Sequence, residues 1–463
     1  MSEAVLQPQG MIRNNRQAKA WTSAKVIYTG LMGFNLLSFL WLLATGSGIG
    51  MPMWIWIARI LVVPLAISLG RLWKDKGFLI LTAYFFFFFF RALIPDTGSI
   101  FSADVSESVL SALWLFAGCY GLGKILEKDV LKKFLFILST IWTLGVLVYC
   151  GTALYAAWND YHIYVNEECF LGLLHGRLMM IYAPTVAGAI LCVTSLIIAI
   201  CCLNVRNKLA RAFFILSELP ILLTLSMTDS RTGYVSLAVG MGLMVFITMI
   251  HSAKILKNQP KQKRIILAAA CMILCVILVV LLVLQLAPAF NRIKTQGILP
   301  TARAEMPKVG WTTVEQRSLI GDSGLNGRMT VWSAVFDFMK QDPVRFLIGQ
   351  SKHQPLRGVI EGYSHCHCLL LQILLESGVP GVVLALGFIV MTRIQSVRVI
   401  RDPEQPCWIR LLPAIIVALL ALDMVESFVW LRSSQCFMNA VFFLSAGIIH
   451  SAASVKRGRI SST

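Results

Sequence analysis

Apolar runs of about 20 residues, separated by short polar connections, recur from residue 26 to residue 450. A run of that length is what an α-helix needs to cross the hydrocarbon core of a bilayer. The pattern predicts twelve spans, at 26–46, 51–70, 77–95, 107–123, 134–157, 177–203, 211–228, 232–250, 265–288, 367–392, 408–428 and 433–450. The expected fold is therefore an all-α polytopic membrane protein. A β-barrel is excluded, because its strands would read as short alternating segments. The predicted organisation is a cytoplasmic tail at 1–25, nine spans within 26–288, a large extracytoplasmic loop at 289–366, three spans within 367–450 and a cytoplasmic tail at 451–463. The first 25 residues are polar and basic, so no signal peptide is expected there.

Composition agrees with this pattern. Only 14% of the 463 residues are charged, against about 25% in soluble domains. The 12 cysteines fall mostly inside apolar runs (Cys192, Cys201, Cys202, Cys271, Cys275), where a small polarizable side chain packs well, and they predict no disulfide framework. The formal charge of +18 raises the question of nucleic acid, and the placement of the charges answers it. If the N-terminus, every second connection and the C-terminus face the cytoplasm, those segments hold 26 of the 41 basic residues. The short connections on the other side carry only Arg91, Arg177, Arg231 and Arg432, among Asp96, Asp104, Glu107, Asp160, Glu167 and Glu168. Basicity thus reports topology through the positive-inside rule. Membrane lipid, and not nucleic acid, is the expected partner.

The connection between the ninth and tenth spans is far longer than the rest, and long loops in compact proteins are usually functional. It contains an amphipathic segment from Met329 to Lys340, with Met329, Val331, Trp332, Val335, Phe336 and Met339 on one face, stopped by Asp342-Pro343. Several polar residues could carry chemistry. Arginine is depleted on the outer face, so Arg177, Arg231, Arg328 and Arg432 need a reason beyond snorkelling to the headgroups, and a guanidinium fork matches phosphate oxygens. Arg231 lies in the polar corner Thr228-Asp229-Ser230-Arg231-Thr232-Gly233 between two apolar helices. Arg59, at lipid depth, is a binding candidate by default, with a buried ion pair as the alternative. His365 and His367 precede the tenth span. Four consecutive residues, His365-Cys366-His367-Cys368, cannot wrap one tetrahedral ion, so a metal site is disfavoured. A packing or capping role is one alternative; a general base at the membrane surface is the other. No Gly-x-Ser-x-Gly elbow and no Walker loop is present.

The order of these features resembles the O-antigen ligase and O-antigen polymerase family of bacterial polysaccharide enzymes. The resemblance rests on Ser230-Arg231-x-Gly233, the large loop, Asn326-Gly327-Arg328 with Trp332, Asp342-Pro343, and Gly349. His365-x-His367-x-x-x-Leu371-Gln372 and Glu376-x-Gly378-x-x-Gly381 complete it, and it covers residues 177–445 best. Cys368 stands where the family usually has asparagine. The resemblance implies a GT-C-like helical frame in the bacterial cytoplasmic (inner) membrane, with an active site facing the periplasm or cell exterior. It implies a metal-independent, cofactor-free, inverting glycosyltransferase. The donor would be a glycan on undecaprenyl diphosphate, and the acceptor a glycan, a lipid A-core or a protein hydroxyl. By the same resemblance His367, Arg231 and Arg328 are catalytic, while Arg177, His365, Arg432 and Arg59 bind substrate. Two readings from other classes stand beside it: a lipid-linked glycan transporter, which twelve helices and Arg59 would suit, and a structural partner in envelope synthesis.

Overall fold

The computed structural model describes residues 9–45, 52–92, 109–160, 162–164, 170–174, 177–180, 183–251, 260–296, 322–350, 366–424, 426 and 437–460. In chain order the helices are α1 (Gln9–Thr45), α2 (Met53–Gly70), α3 (Lys76–Ala92), α4 (Val109–Ile125), α5 (Lys128–Trp158), α6 (Pro184–Asn204), α7 (Lys208–Thr228), α8 (Arg231–His251) and α9 (Lys261–Thr295). They continue with α10 (Asp322–Lys340), α11 (Pro343–Ile348), α12 (Leu369–Arg401), α13 (Cys407–Asp423) and α14 (Phe437–Ile460). Eight of them, α2, α5 to α9, α12 and α14, are long and apolar enough to cross a membrane. Together they define a polytopic helical membrane protein. The other four predicted spans fall on α1, α3, α4 and α13.

Burial sorts the helices into lining and frame. In α6 72% of the most apolar window is buried, whereas in α9 it is 6%. α6 is therefore a central post, and α9 turns an almost wholly apolar surface outward, as a helix facing lipid does. Close crossings are made by small residues: a Cβ on Gly240 of α8 would meet Ala418 of α13 at 3.1 Å.

Some expected boundaries shift. The sixth span does not begin at residue 177. Residues 177–179 form a strand, and α6 starts at Pro184, whose fixed φ suits the first helical turn. The all-α expectation thus needs one addition, a small antiparallel sheet of β1 (Ile163–Tyr164), β2 (Phe170–Leu174) and β3 (Arg177–Met179), in that order. α9 runs on to Thr295, past the expected loop boundary at 289. The loop's amphipathic helix begins at Asp322, before Met329. Its buried stripe is narrower than expected: Val331, Val335 and Met339 are fully buried, while Met329 and Phe336 are exposed.

α10 and α11 fold back onto α12. Val331, Val335 and Met339 form a second apolar core with Cys366, Leu371, Leu374 and Leu375, separate from the main bundle core. The docking is finished by two glycines with positive φ. A Cβ on Gly349 (φ +74°) would stand 2.5 Å from the Glu376 carbonyl carbon, and one on Gly378 (φ +62°) would stand 2.4 Å from the Leu347 oxygen. Their bare backbones let the end of α11 press against a break in α12, where the Gln350 N–H donates to Leu375 O at 2.6 Å.

Candidate functional site

The site begins at residues 366 and 367, just before α12. Trp332 of α10 donates its indole N–H to Cys366 O at 2.9 Å, and the Cys366 N–H donates to Gln372 Oε1 at 2.9 Å. Gln372 Nε2 in turn donates to Glu376 Oε1 at 2.7 Å, one turn further along α12. The peptide at residue 366 is thus gripped from both sides. The next residue, His367, is held at φ +49°, a left-handed conformation that is uncommon for a residue with a Cβ.

That conformation aims the imidazole at Glu426. His367 Nδ1 lies 2.9 Å from Glu426 Oε2, and Arg328 Nη2 of α10 donates to Glu426 Oε1 at 2.6 Å. The Glu426 side chain is 2% exposed, against 20% for His367 and 22% for Arg328. A buried carboxylate is therefore shared between a cation and an imidazole, both of which reach the surface of the site. Both oxygens are engaged, as a desolvated carboxylate needs. Three parts of the chain meet here: the loop helix α10, the start of α12 and the end of α13.

The corner at the start of α8 is braced separately. Asp229 (φ +48°) closes α7 in the left-handed region. Arg177, from β3, donates Nε to Thr228 O at 3.0 Å and Nη2 to Asp229 O at 3.2 Å. Tyr234 OH donates back to Ser226 O at 2.8 Å, and Ser230 packs on Gly188 at the start of α6. These contacts fix Arg231 at the first position of α8, where its half-buried guanidinium makes no hydrogen bond or ion pair among the described residues. α8 and α13 run antiparallel, with the end of α8 tied to the end of α12 by His251 Nε2 against Ile400 O at 2.6 Å. Counting along both helices from the Gly240–Ala418 crossing brings Arg231 and Glu426 to the same end of the bundle, at similar height.

The structure thus brings together Arg328 and His367 on a residue that sequence reasoning passed over, and places Arg231 at the same end. Arg177 serves the corner through backbone carbonyls. Arg59 is fully buried, and its guanidinium carbon lies 4.6 Å from the ring centre of Trp114, 4.9 Å from Trp56 and 5.9 Å from Phe39. The guanidinium stands there among ring faces, in a box between α1, α2 and α4. His365 and Arg432 lie outside the described residues, as does the side chain of Arg91. Glu426 had a signal in the sequence: an acid at the end of an otherwise apolar span is rare enough to mark a site.

The fold and this cluster define a membrane-embedded helical protein with a polar site at one end, completed by a docked loop helix. Residues 216–386 match the family model described as O-antigen ligase. Over that segment, which holds Arg231, Arg328 and His367, the resemblance seen in the motifs is shown. The match supports an O-antigen ligase- or polymerase-like function. A comparison with curated proteins gives no match.

Proposed function

We propose that the protein transfers a glycan from undecaprenyl diphosphate to an acceptor hydroxyl, with His367 as general base. The observation that carries this reading is the Arg328–Glu426–His367 group, in which a buried carboxylate engages Nδ1 of a partly exposed imidazole. With Nδ1 so engaged, Nε2 is the nitrogen that takes the proton, and the carboxylate stabilises the imidazolium as it forms. The acceptor oxygen attacks the anomeric carbon, the bond from that carbon to the diphosphate oxygen breaks, and the proton passes to His367. Direct displacement inverts the anomeric centre and needs no metal.

Arg231 is the cation for the leaving diphosphate. Its fork is uncommitted within the described residues, and the Arg177 brace fixes its position. Arg328 acts chiefly by orienting Glu426. Charge stabilisation is the larger contribution, since a diphosphate is already a good leaving group. The site faces the periplasm or cell exterior in this reading, and twelve helices cross the membrane. His365 and Arg432 are proposed to border the substrate.

The break in α12 at Gly378 invites comparison with the interrupted helices of transporters. Here the break is filled by Leu347 and Gly349 of the docked loop, which explains it without a transported substrate. Ligase and polymerase are separated by an acceptor test. Purified protein receives a lipid-diphosphate-linked glycan with and without lipid A-core. Product only with core identifies a ligase; a ladder of longer lipid-linked glycans without core identifies a polymerase. No product in either arm contradicts the proposal.

A further inference from the structure

At the other end of the bundle, α1, α5, α6, α13 and α14 enclose an apolar cavity of about 150 Å³. It runs along α5 from Lys132 to Trp142 and along α14 from Ile448 to Phe437. Helix rise makes it on the order of 16 Å long. Its inner end is closed by Trp142 stacked on Phe437, with ring centres 3.9 Å apart. Between the two ends the walls are almost wholly apolar, with Ile200, Leu412 and Leu444 among them. A cavity of that size and character excludes water and takes an apolar ligand. A long, narrow slot beside lipid fits one hydrocarbon chain.

The outer end is different. Lys132 is exposed at the rim, with Asn204 and Trp408 beside it. Lys128 donates to Gln405 Oε1 at 2.9 Å, and the Cys407 thiol lies in the electrostatic field of both Arg410 and Lys132. Asp402, the buried acid of this corner, accepts from Gln405 Nε2 at 3.2 Å and from the Glu404 N–H at 3.1 Å. Three cations thus gather where a headgroup would sit.

We propose that this cavity holds one acyl chain of an anionic phospholipid, whose headgroup phosphate pairs with Lys132. The isoprenoid tail of the sugar donor is disfavoured by geometry. Trp408 lies in the first turn of α13 and Glu426 three residues past its end, so the cationic rim and the site lie at opposite ends of a helix about 25 Å long. A lipid held by its diphosphate near Glu426 would have its headgroup at the wrong end of this slot. The proposal concerns binding and stands whichever reaction the site catalyses.

The test uses the whole purified protein in mixed micelles. Phosphatidylglycerol with a photoreactive diazirine in its acyl chain is irradiated with the protein, and the adducts are mapped by peptide mass spectrometry. Equivalent phosphatidylethanolamine and a diazirine-bearing polyprenyl phosphate are run alongside. The expected adducts fall on 132–142, 197–205 and 437–448. Phosphatidylglycerol should label about fivefold more than phosphatidylethanolamine, as roughly 1 kcal/mol per basic residue near a headgroup implies. Lys132→Glu should remove that preference, and Ser445→Phe, which fills the slot, should lower labelling by both phospholipids. Should the filled variant fail to fold, the wild-type map decides alone. Adducts spread over the outward face of α9, equal labelling by the two phospholipids, or strongest labelling by the polyprenyl phosphate would each overturn the proposal.

Discussion

A carboxylate that is 2% exposed is costly to leave unpaired, and Glu426 meets this cost with Arg328 on one oxygen and His367 on the other. Removing Arg328 therefore harms more than removing the pair. Arg328→Gln should lower the melting temperature clearly, and adding Glu426→Gln should restore part of the loss, because the stranded charge is gone. Thermal unfolding of the two variants checks this, and additive losses would mean that the pair is not coupled. For transfer, Glu426→Gln should cost about 10²- to 10⁴-fold in rate, the range expected when a general base loses its orienting partner. Arg231→Lys keeps the charge and loses the bidentate fork, so transfer should fall about 10²-fold with the fold intact. His367, Arg231 and Arg328 were legible in the sequence because arginine and histidine stand out at the ends of apolar runs. Glu426 also carried a signal, as an acid within an apolar span, but nothing in the sequence joins it to Arg328 and His367 until the fold makes them its partners. Arg59 stood out as a charge at lipid depth, but the aromatic faces around it come from helices that no sequence spacing joins.

At the scale of elements, the loop helix pair is docked on the bundle along one face of α12. It is held by seven buried apolar and sulfur side chains, by the Trp332–Cys366 hydrogen bond, and by the contact of Gly349 with the break at Gly378. Gly378→Ala combines a φ of +62° with a collision against Leu347 O, so it should undock α10 and α11 while the bundle persists. Cys366, fully buried beneath α10, reports the event. A membrane-impermeant maleimide should modify it at least about tenfold faster in the variant, and an unchanged rate would show that the docking tolerates the Cβ. The pattern of apolar positions located α10 and its stop at Asp342-Pro343. The narrow stripe at 331, 335 and 339 was not visible, since only the docked geometry shows that α10 touches α12 along one row. The strand at Arg177–Met179 was hidden because the apolar run from Leu178 to Ala183 leads straight into the helix that follows.

Across the whole molecule the two ends differ in kind. The end bearing His367 holds the Arg328–Glu426–His367 cluster, while the other is tied by a polar network that the proposed reaction does not use. There Tyr120 OH donates to Asp75 Oδ1 at 2.5 Å and meets His450 Nδ1 at 2.7 Å, and Lys124 Nζ lies 2.6 Å from Asp75 Oδ2. Burial alone would raise the Asp75 carboxyl, and Lys124 with Tyr120 outweighs it, holding the group below its ordinary value. Lys124→Met should therefore destabilise the protein by about 3–5 kcal/mol while the transfer rate of the folded fraction stays unchanged. The membrane class and the helical frame were legible because long apolar runs have one reading, whereas a site assembled from residues 328, 367 and 426 needs the fold to join it. The measurement that bears most directly on the account is single-turnover transfer from lipid-diphosphate-linked glycan by purified wild-type protein and His367→Ala, in EDTA, with equal thermal stability verified for both. Rapid transfer by the wild type and a loss of at least about 10²-fold in the variant is the predicted result. Equal transfer by the two proteins would contradict the assignment of His367 as the base.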